Sequence, residues 1–190
     1  MKKLSLLAVI TLLSLAFVQC GPDQDPFLIK NGAVGPLTKD MMIRQVDSVF
    51  EGDSLVLSTP VGNTLGTRGE VEIYEQGVAK LLLVSPEDPN DPYSKISYIH
   101  VYDARYRTEK GLTINSTFAD IKQNYEIKSI ENAINSVVIF LKDSEVYLTI
   151  DKKELPEDIR YNYTSKIEAT QIPDEAGFKY FMIGWDHTEE

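Results

Sequence analysis

Two segments of the chain share one pattern and decide the fold: residues 37–50 read LTKDMMIRQVDSVF, and residues 112–125 read LTINSTFADIKQNY. In the first segment, apolar residues follow Met42 at positions i+4, i+7 and i+8. In the second, they follow Phe118 at i+3 and i+7. Both spacings place the apolar side chains on one helical face, so each segment predicts a short amphipathic helix.

Polar residues at the helix starts extend the parallel. Thr117 and Asp120 fit a capping box, and Thr38 or Asp40 is a candidate cap for the first helix. At a spacing of 75 residues, the matched positions are Leu37 and Leu112, Asp40 and Asn115, Ile43 and Phe118, Val46 and Ile121, and Phe50 and Tyr125. Any two capped amphipathic helices agree at several positions. The match therefore leaves two interpretations: a tandem repeat of a helix followed by strands, or two unrelated helices.

Short apolar or alternating runs follow each helix and predict strands. After the first helix they cover 55–57, 71–74, 78–84 and 95–103; after the second they cover 137–141, 145–150, 165–172 and 178–185. A glycine-containing loop is predicted over 60–69, a proline-rich turn over 86–92, and an interrupted helical turn over 152–159. The prediction is an α+β fold with two short helices packed on a mainly antiparallel sheet.

The first twenty residues predict where the protein is located. Lys2 and Lys3 precede an almost wholly apolar run, Leu4 to Val18, which ends at the only cysteine, Cys20. This arrangement is typical of a secretory signal and resembles a bacterial lipoprotein signal, in which the cysteine is lipidated. The alternatives are an ordinary cleaved signal and an uncleaved anchor, although the run is shorter than the roughly 20 residues of a membrane span.

These features divide the chain into a signal peptide at 1–19, a flexible tether at 20–27, and a single α+β domain at 28–190. If the repeat is real, its halves are 28–103 and 104–190. Gly21 lacks the aspartate that marks retention in the inner membrane, and Asp23 and Asp25 resemble surface-export tags. We therefore expect an outer-membrane protein, attached by lipid and facing the periplasm or the exterior.

Composition narrows the range of partners. Without residues 1–19 the chain carries 17 basic and 29 acidic side chains, a net charge of −12. Such a surface disfavours nucleic acid and anionic lipid, so membrane attachment is expected to come from a lipid anchor alone. A single cysteine excludes an internal disulfide, which leaves the core to hold the fold.

Two short motifs resemble known families. Residues 35–46 resemble the entry motif of the small lipoprotein of the outer-membrane β-barrel assembly machine, which is shared by tandem β-lactamase-inhibitor-like domains. Residues 106–125 look like the central motif of a family of uncharacterised bacterial lipoproteins, where a strand leads into Arg-Thr-x-x-Gly and a capped helix. The resemblance implies a fold and brings no catalytic residue.

The strongest candidate for partner binding is a basic cluster of Arg105, Arg107 and Lys110. On an acidic chain it could hold a carboxylate or an anionic headgroup. The alternative is structural: Arg107 would form an ion pair with Asp103 or Glu109.

Other groups suggest no chemistry of their own. His100 is predicted in a strand, and His187 lies in the acidic C-terminal tail. The glycines of 62–69 match no phosphate or dinucleotide motif, and the acids of 86–92 do not have EF-hand spacing, which leaves calcium binding there an open question. Aromatic residues are interpreted mostly as packing, with a glycan or peptide groove as the alternative: Tyr74, Tyr98, Tyr102, Tyr106, Phe178, Tyr180 and Trp185.

The sequence thus predicts no catalytic activity, no cofactor and no metal. The expected function is that of a lipid-anchored binding or envelope-assembly module with a protein partner. The alternative, by analogy of fold, is an inhibitor of a secreted hydrolase, for which the loop at 86–92 would be the protruding element.

Overall fold

Twelve strands in two sheets form most of the regular secondary structure over residues 25–58, 69–161 and 164–187, which the computed structural model describes. The helices in these ranges are few and short. The fold is therefore mixed α+β, as predicted, but β-structure dominates it. The predicted signal peptide, Cys20, most of the predicted tether and the predicted loop at 60–69 except Gly69 lie outside the described residues.

The strands are β1 (Leu28–Lys30), β2 (Ala33–Val34), β3 (Leu37–Thr38), β4 (Ser54–Ser58), β5 (Glu70–Glu75), β6 (Ala79–Pro86), β7 (Ile96–Val101), β8 (Arg107–Thr108), β9 (Ile127–Asn132), β10 (Ser136–Leu141), β11 (Val146–Asp151) and β12 (Tyr180–Gly184). The helices are the 3₁₀ helices Ile43–Val49, Lys152–Glu154 and Ala169–Gln171, and the α-helices α1 (Phe118–Asn124) and α2 (Glu157–Arg160).

The large sheet has the strand order β4-β5-β6-β7-β12-β11-β10-β9, and every neighbouring pair is antiparallel. The chain enters at one edge and runs inward through β4 to β7. It then crosses to the opposite edge and runs inward through β9 to β11, and β12 fills the centre. Each set of four strands follows one helix, Ile43–Val49 in the first case and α1 in the second.

One row of paired residues across the large sheet shows where the core lies. It runs Ile73, Leu82, Val101, Phe181, Leu148 and Ile139, each at most 1 % exposed. The adjacent row, on the other face, runs Glu72, Leu83, His100, Met182, Tyr147 and Phe140, all partly exposed. Successive side chains of a strand alternate between faces, so the sheet has one buried face and one open face.

The helices add apolar side chains to the core. Phe118 and Ile121 of α1 are fully buried, and Val46 of the 3₁₀ helix is 1 % exposed. Phe50, just past the first helix, is 7 % exposed. Tyr125, the residue that the 75-residue spacing matches to Phe50, is only partly buried, and its hydroxyl lies 2.6 Å from Thr108 Oγ1.

The helix caps differ from one another. Asp120 accepts a hydrogen bond from Thr117 N at 2.8 Å, so its part of the predicted capping box is present. The predicted caps Thr38 and Asp40 are wrong. The first helix begins after Met42, whose N–H donates to the Gln45 side chain at 2.9 Å.

A second, four-stranded sheet has the order β3-β2-β1-β8, and β1 pairs with β8 in parallel. Glu145 joins this sheet to the large one. Its Oε2 accepts hydrogen bonds from Gly32 N at 2.6 Å and from Trp185 Nε1 at 2.8 Å. Gly35 turns the chain between β2 and β3 with φ +53°, and a side chain there would collide with Pro26 O.

Two sequence expectations need correction. Residues 165–172 form no strand; they contain the 3₁₀ turn Ala169–Gln171. Strand β9 was not predicted, although it pairs with β10 along its whole length. Of the residues described, no helix is both long enough and apolar enough to cross a bilayer.

Candidate functional site

Arg105, the first residue of the predicted basic cluster, binds two carboxylates. Its guanidinium donates to Glu75 at 2.8 and 2.9 Å, and to Asp103 at 2.8 and 3.0 Å. These bonds raise the pKa of Arg105 still further, and they lower the pKa of Asp103. The Arg105 side chain also covers the Phe27 ring, 4.4 Å from its centroid. Two acids therefore surround this single cation.

Arg107 and Lys110 also have intramolecular contacts. Arg107 forms an ion pair with Asp25 at 2.5 Å rather than with the predicted Asp103 or Glu109. Lys110 donates to Asn124 O at 2.7 Å, and its ammonium lies 4.6 Å from the centroid of Tyr125. Whether these three residues also contact a partner stays a prediction.

The open face of the large sheet carries a different candidate, a set of ring-bearing side chains. We name it the outer aromatic face; it comprises Tyr74, Tyr98, His100, Tyr102, Tyr147 and Tyr180. Tyr98, Tyr102 and Tyr180 are 50 %, 39 % and 41 % exposed. Tyr98 and Tyr180 belong to the two central strands of the sheet, β7 and β12, and Tyr102 directly follows β7. The most accessible rings therefore lie at the middle of the sheet. Concentrated exposed aromatics are unusual on a free surface and common at interfaces.

His100 is at the centre of this face. Its ring lies 4.1 Å from the Tyr102 centroid in a tilted arrangement and 5.1 Å from Tyr180 edge-on. Burial lowers the pKa of His100 to about 4, and the charge of Lys80 acts in the same direction. At neutral pH His100 is therefore an uncharged ring that packs with the tyrosines.

Lys80 links the aromatic rings to an acid. Its ammonium lies 4.4 Å from the centroid of Tyr102 and 2.8 Å from Glu72 Oε1. The Tyr74 hydroxyl donates to the other oxygen of Glu72 at 2.6 Å. The hydrogen bond from Lys80, aided by that from Tyr74, lowers the pKa of Glu72. These contacts fix the rings in place, which reduces the conformational entropy lost on binding.

A groove of about 450 Å³ lies at one end of the outer aromatic face, with Tyr98, Tyr147 and Met182 along its floor. Gly184 pairs with Tyr98 across the strands. A Cβ at Gly184 would stand 3.2 Å from the Tyr147 ring and 3.7 Å from the Tyr98 ring. Because glycine has no side chain, both rings can cover the backbone there. Pro86, Glu87 and Pro89 form one wall, so the predicted proline-rich turn borders this groove.

The aromatic residues that the sequence analysis treated as one set separate in space. Tyr106 and Trp185 are in the core, at 1 % and 2 % exposed, and Phe178 packs against it. Tyr74, Tyr98, Tyr102 and Tyr180 lie on the outer aromatic face instead. Sequence reasoning missed Tyr147, although its alternation with Val146 and Leu148 in a strand was a usable signal.

The remaining candidates are accounted for locally. His187 contacts the Ile96 carbonyl at 2.7 Å. Asp88 and Asp91 accept hydrogen bonds from backbone N–H groups two residues further on, as in Asx turns. Over residues 25–58, 69–161 and 164–187, no group of three or more His, Cys, Asp and Glu side chains is placed to hold a metal ion.

Comparison with known proteins adds a likeness of fold. No family model and no curated protein sequence matches this chain. The crystal structure of the uncharacterised protein YfeY from Escherichia coli is similar to 80 % of this chain and 95 % of that chain, with a TM-score of 0.50 and 14 % identity. At that identity the two proteins share an architecture, and the likeness gives no indication of function.

Proposed function

We propose that this chain is a lipid-anchored envelope protein whose folded domain binds a protein partner through the outer aromatic face, without catalysis. The observation that carries the proposal is the row of half-exposed rings across the centre of the large sheet. Tyrosine contributes apolar area together with a polar tip and has few rotatable bonds, so it is enriched at protein interfaces. The groove beside Tyr98 and Tyr147 is large enough to accept a side chain from the partner.

The proposed anchor is a lipid on Cys20, at the end of the apolar N-terminal run. A lipid would hold the domain at a membrane despite the net charge of −12, with the outer membrane as the expected location and the periplasm or the exterior as the side.

The fold itself is proposed to be a tandem repeat. Two helices separated by 75 residues each precede four strands, and the two sets meet at β7 and β12 with mirrored strand order. A duplicated unit of this kind would join its two inner strands into one continuous sheet and so make a wider open face than either half has. The breadth of that face favours a protein partner over a small ligand.

Capture from the native envelope tests the proposal. The change is Tyr98→Ser with Tyr180→Ser, which removes two exposed rings from the outer aromatic face. Tyr93→Ser is the matched control, because Tyr93 is 58 % exposed and lies on the loop before β7. We expect the double variant to lose a partner that the wild-type protein and the control both retain. Equal capture by all three proteins would contradict the proposal.

A second candidate is an inhibitor of a secreted hydrolase. It is favoured by the position of the turn at 86–92, which borders the groove and leads to the exposed Tyr93. Arg44 stacks on Tyr93 at 4.2 Å from the ring centroid. An inhibitor would lose activity on Tyr93→Ser, whereas the proposed binding module would not, so the same control variant separates the two functions.

A further inference from the structure

A second local concentration of positive charge lies away from the predicted basic cluster and from the outer aromatic face. A cleft of about 660 Å³ brings together Lys152, Lys153, Arg160 and Lys179, with Asp151 as its one acid. Lys152 is only 3 % exposed and has an interaction of its own, so the charged side chains open to the cleft are Lys153, Arg160, Lys179 and Asp151, which carry a net charge of +2 on a chain whose net charge is −10. Since nearby acids normally neutralise such clusters, an excess of this size points to an anionic ligand.

Asp151 neutralises only one of these cations. One of its oxygens accepts the Lys153 backbone N–H at 3.0 Å, and the other pairs with Lys179 at 3.2 Å. Among the residues described, neither the Lys153 ammonium nor Arg160 forms an ion pair. Two cationic groups are thus available for an incoming anion.

Arg160 is held in a fixed position by its own loop. Its Nη2 donates to Lys153 O at 2.8 Å and to Leu155 O at 3.1 Å. Its Nε is buried and has no hydrogen-bond partner among the described residues. A guanidinium has five N–H donors in a rigid fork, so these two hydrogen bonds leave some of its donors unused.

We infer that this cleft binds a phosphate group. A fixed guanidinium with the ammonium groups of Lys153 and Lys179 in the same cleft matches an anion that offers several oxygens, and arginine recognises phosphate through paired hydrogen bonds. The rim carries two exposed apolar side chains, Ile134 at 73 % and Tyr161 at 64 % exposure. The phosphate could come from a lipid headgroup or from a free phosphate in solution, and both present the same chemistry to the cleft.

Calorimetric titration of the full chain in a neutral detergent tests this inference. The probes are inorganic phosphate, glycerophosphoglycerol as the soluble headgroup of an anionic lipid, and acetate as a simple monoanion. We expect saturable binding of at least one phosphate probe with a Kd below about 1 mM. Tighter binding of inorganic phosphate would indicate a free phosphate as the source, and tighter binding of the headgroup diester would indicate lipid.

Two variants locate the site. Arg160→Gln and Lys153→Gln are each expected to weaken binding about tenfold or more, as for a lost charge-assisted hydrogen bond. Lys142→Gln is the control, since Lys142 pairs with Glu126 and lines a separate cleft. Lys153→Gln keeps the inference testable if Arg160→Gln does not fold. Absence of saturable phosphate binding, equal affinity for acetate, or equal losses in Lys153→Gln and Lys142→Gln would overturn it.

Discussion

At the scale of single residues, the packing of His100 changes its pKa and so gives the stability of the fold a measurable dependence on pH. It lies between Tyr102 and Tyr180 on the open side of the sheet, yet enough of its ring is covered to lower its pKa to about 4. The unfolded chain binds a proton at His100 near pH 6.5, whereas the folded chain resists doing so until about pH 4. Stability linked to His100 is therefore fully present above pH 6.5 and is lost as the pH falls toward 4.

The first prediction follows from this linkage. Between pH 6.5 and 4 we expect the wild-type protein to lose about 1–2 kcal/mol through His100, after allowing for partial solvent exposure of the ring. His100→Gln removes this part of the pH dependence, and His187→Gln is the control. Urea unfolding at a series of pH values measures the difference. Identical slopes for the wild-type protein and His100→Gln would show that the ring is not protected from protonation.

Arg105 gives the second prediction. Its bonds lower the pKa of Asp103, and a carboxylate of this kind stabilises the fold above its unfolded pKa of 3.8. Arg105→Gln should therefore reduce stability at pH 7 by no more than about 1 kcal/mol, because the Arg105 side chain is exposed to solvent. The difference from the wild-type protein should disappear as the pH falls through the folded pKa of Asp103. Unfolding at pH 7 and at acid pH measures it, and a difference that persists in acid would contradict the ion-pair explanation.

Alternation in the sequence is enough to place Tyr98, His100 and Tyr102 on one side of β7, because they are two positions apart. It did not predict the ion pair of Arg107 with Asp25, 82 positions away. Charged side chains are long and flexible, so their partners depend on how distant segments of the chain meet. These partners therefore cannot be predicted from a short stretch of sequence.

At the scale of elements, strong local patterns were predictive and weak ones were not. Strands β10 and β11 were predicted, because 137–141 is a continuous apolar run and 145–150 alternates between apolar and other residues. Strand β9 was missed because Ile127 and Ile130 are three positions apart, a helical spacing, and a register irregularity opposite them at Phe140 and Leu141 makes that spacing compatible with a strand.

The third prediction concerns the start of α1. Asp120→Ala removes the carboxylate that accepts the Thr117 N–H and should lower the free energy of unfolding by about 1 kcal/mol. Gln123→Ala is the control, since Gln123 is exposed in the same helix. Urea denaturation of both variants measures the effect. If the two variants are equally stable, the cap makes no contribution.

At the scale of the whole molecule, the distribution of charge could be predicted only in part from the sequence. The net charge and the local cluster at Arg105, Arg107 and Lys110 were both visible in the sequence. The cleft around Lys152, Lys153 and Arg160 was not, because residues 151–153, 160–161 and 179 come together only when β11, α2 and β12 have folded. The sequence analysis therefore placed the concentrated positive charge at a cluster that the fold largely neutralises.

The fourth prediction concerns the anchor. Cys20→Ser should move the protein from the membrane fraction to the soluble fraction, because a lipid is the proposed attachment. Fractionation of the envelope, with incorporation of labelled fatty acid as a second readout, measures the change. Membrane retention of the variant without label would indicate that the N-terminal segment itself remains as the anchor.

The central claim is that a protein partner binds the outer aromatic face. Its most direct test is site-specific photocrosslinking in intact cells, with a photoreactive amino acid placed in turn at Tyr98, Tyr102 and Tyr180. Arg105 and Lys110 represent the predicted basic cluster, and Val78, 87 % exposed between β5 and β6, is the control. We predict one common adduct at positions 98, 102 and 180 and none at 78. Adducts at 105 and 110 alone, or no adduct on the sheet face, would contradict the claim.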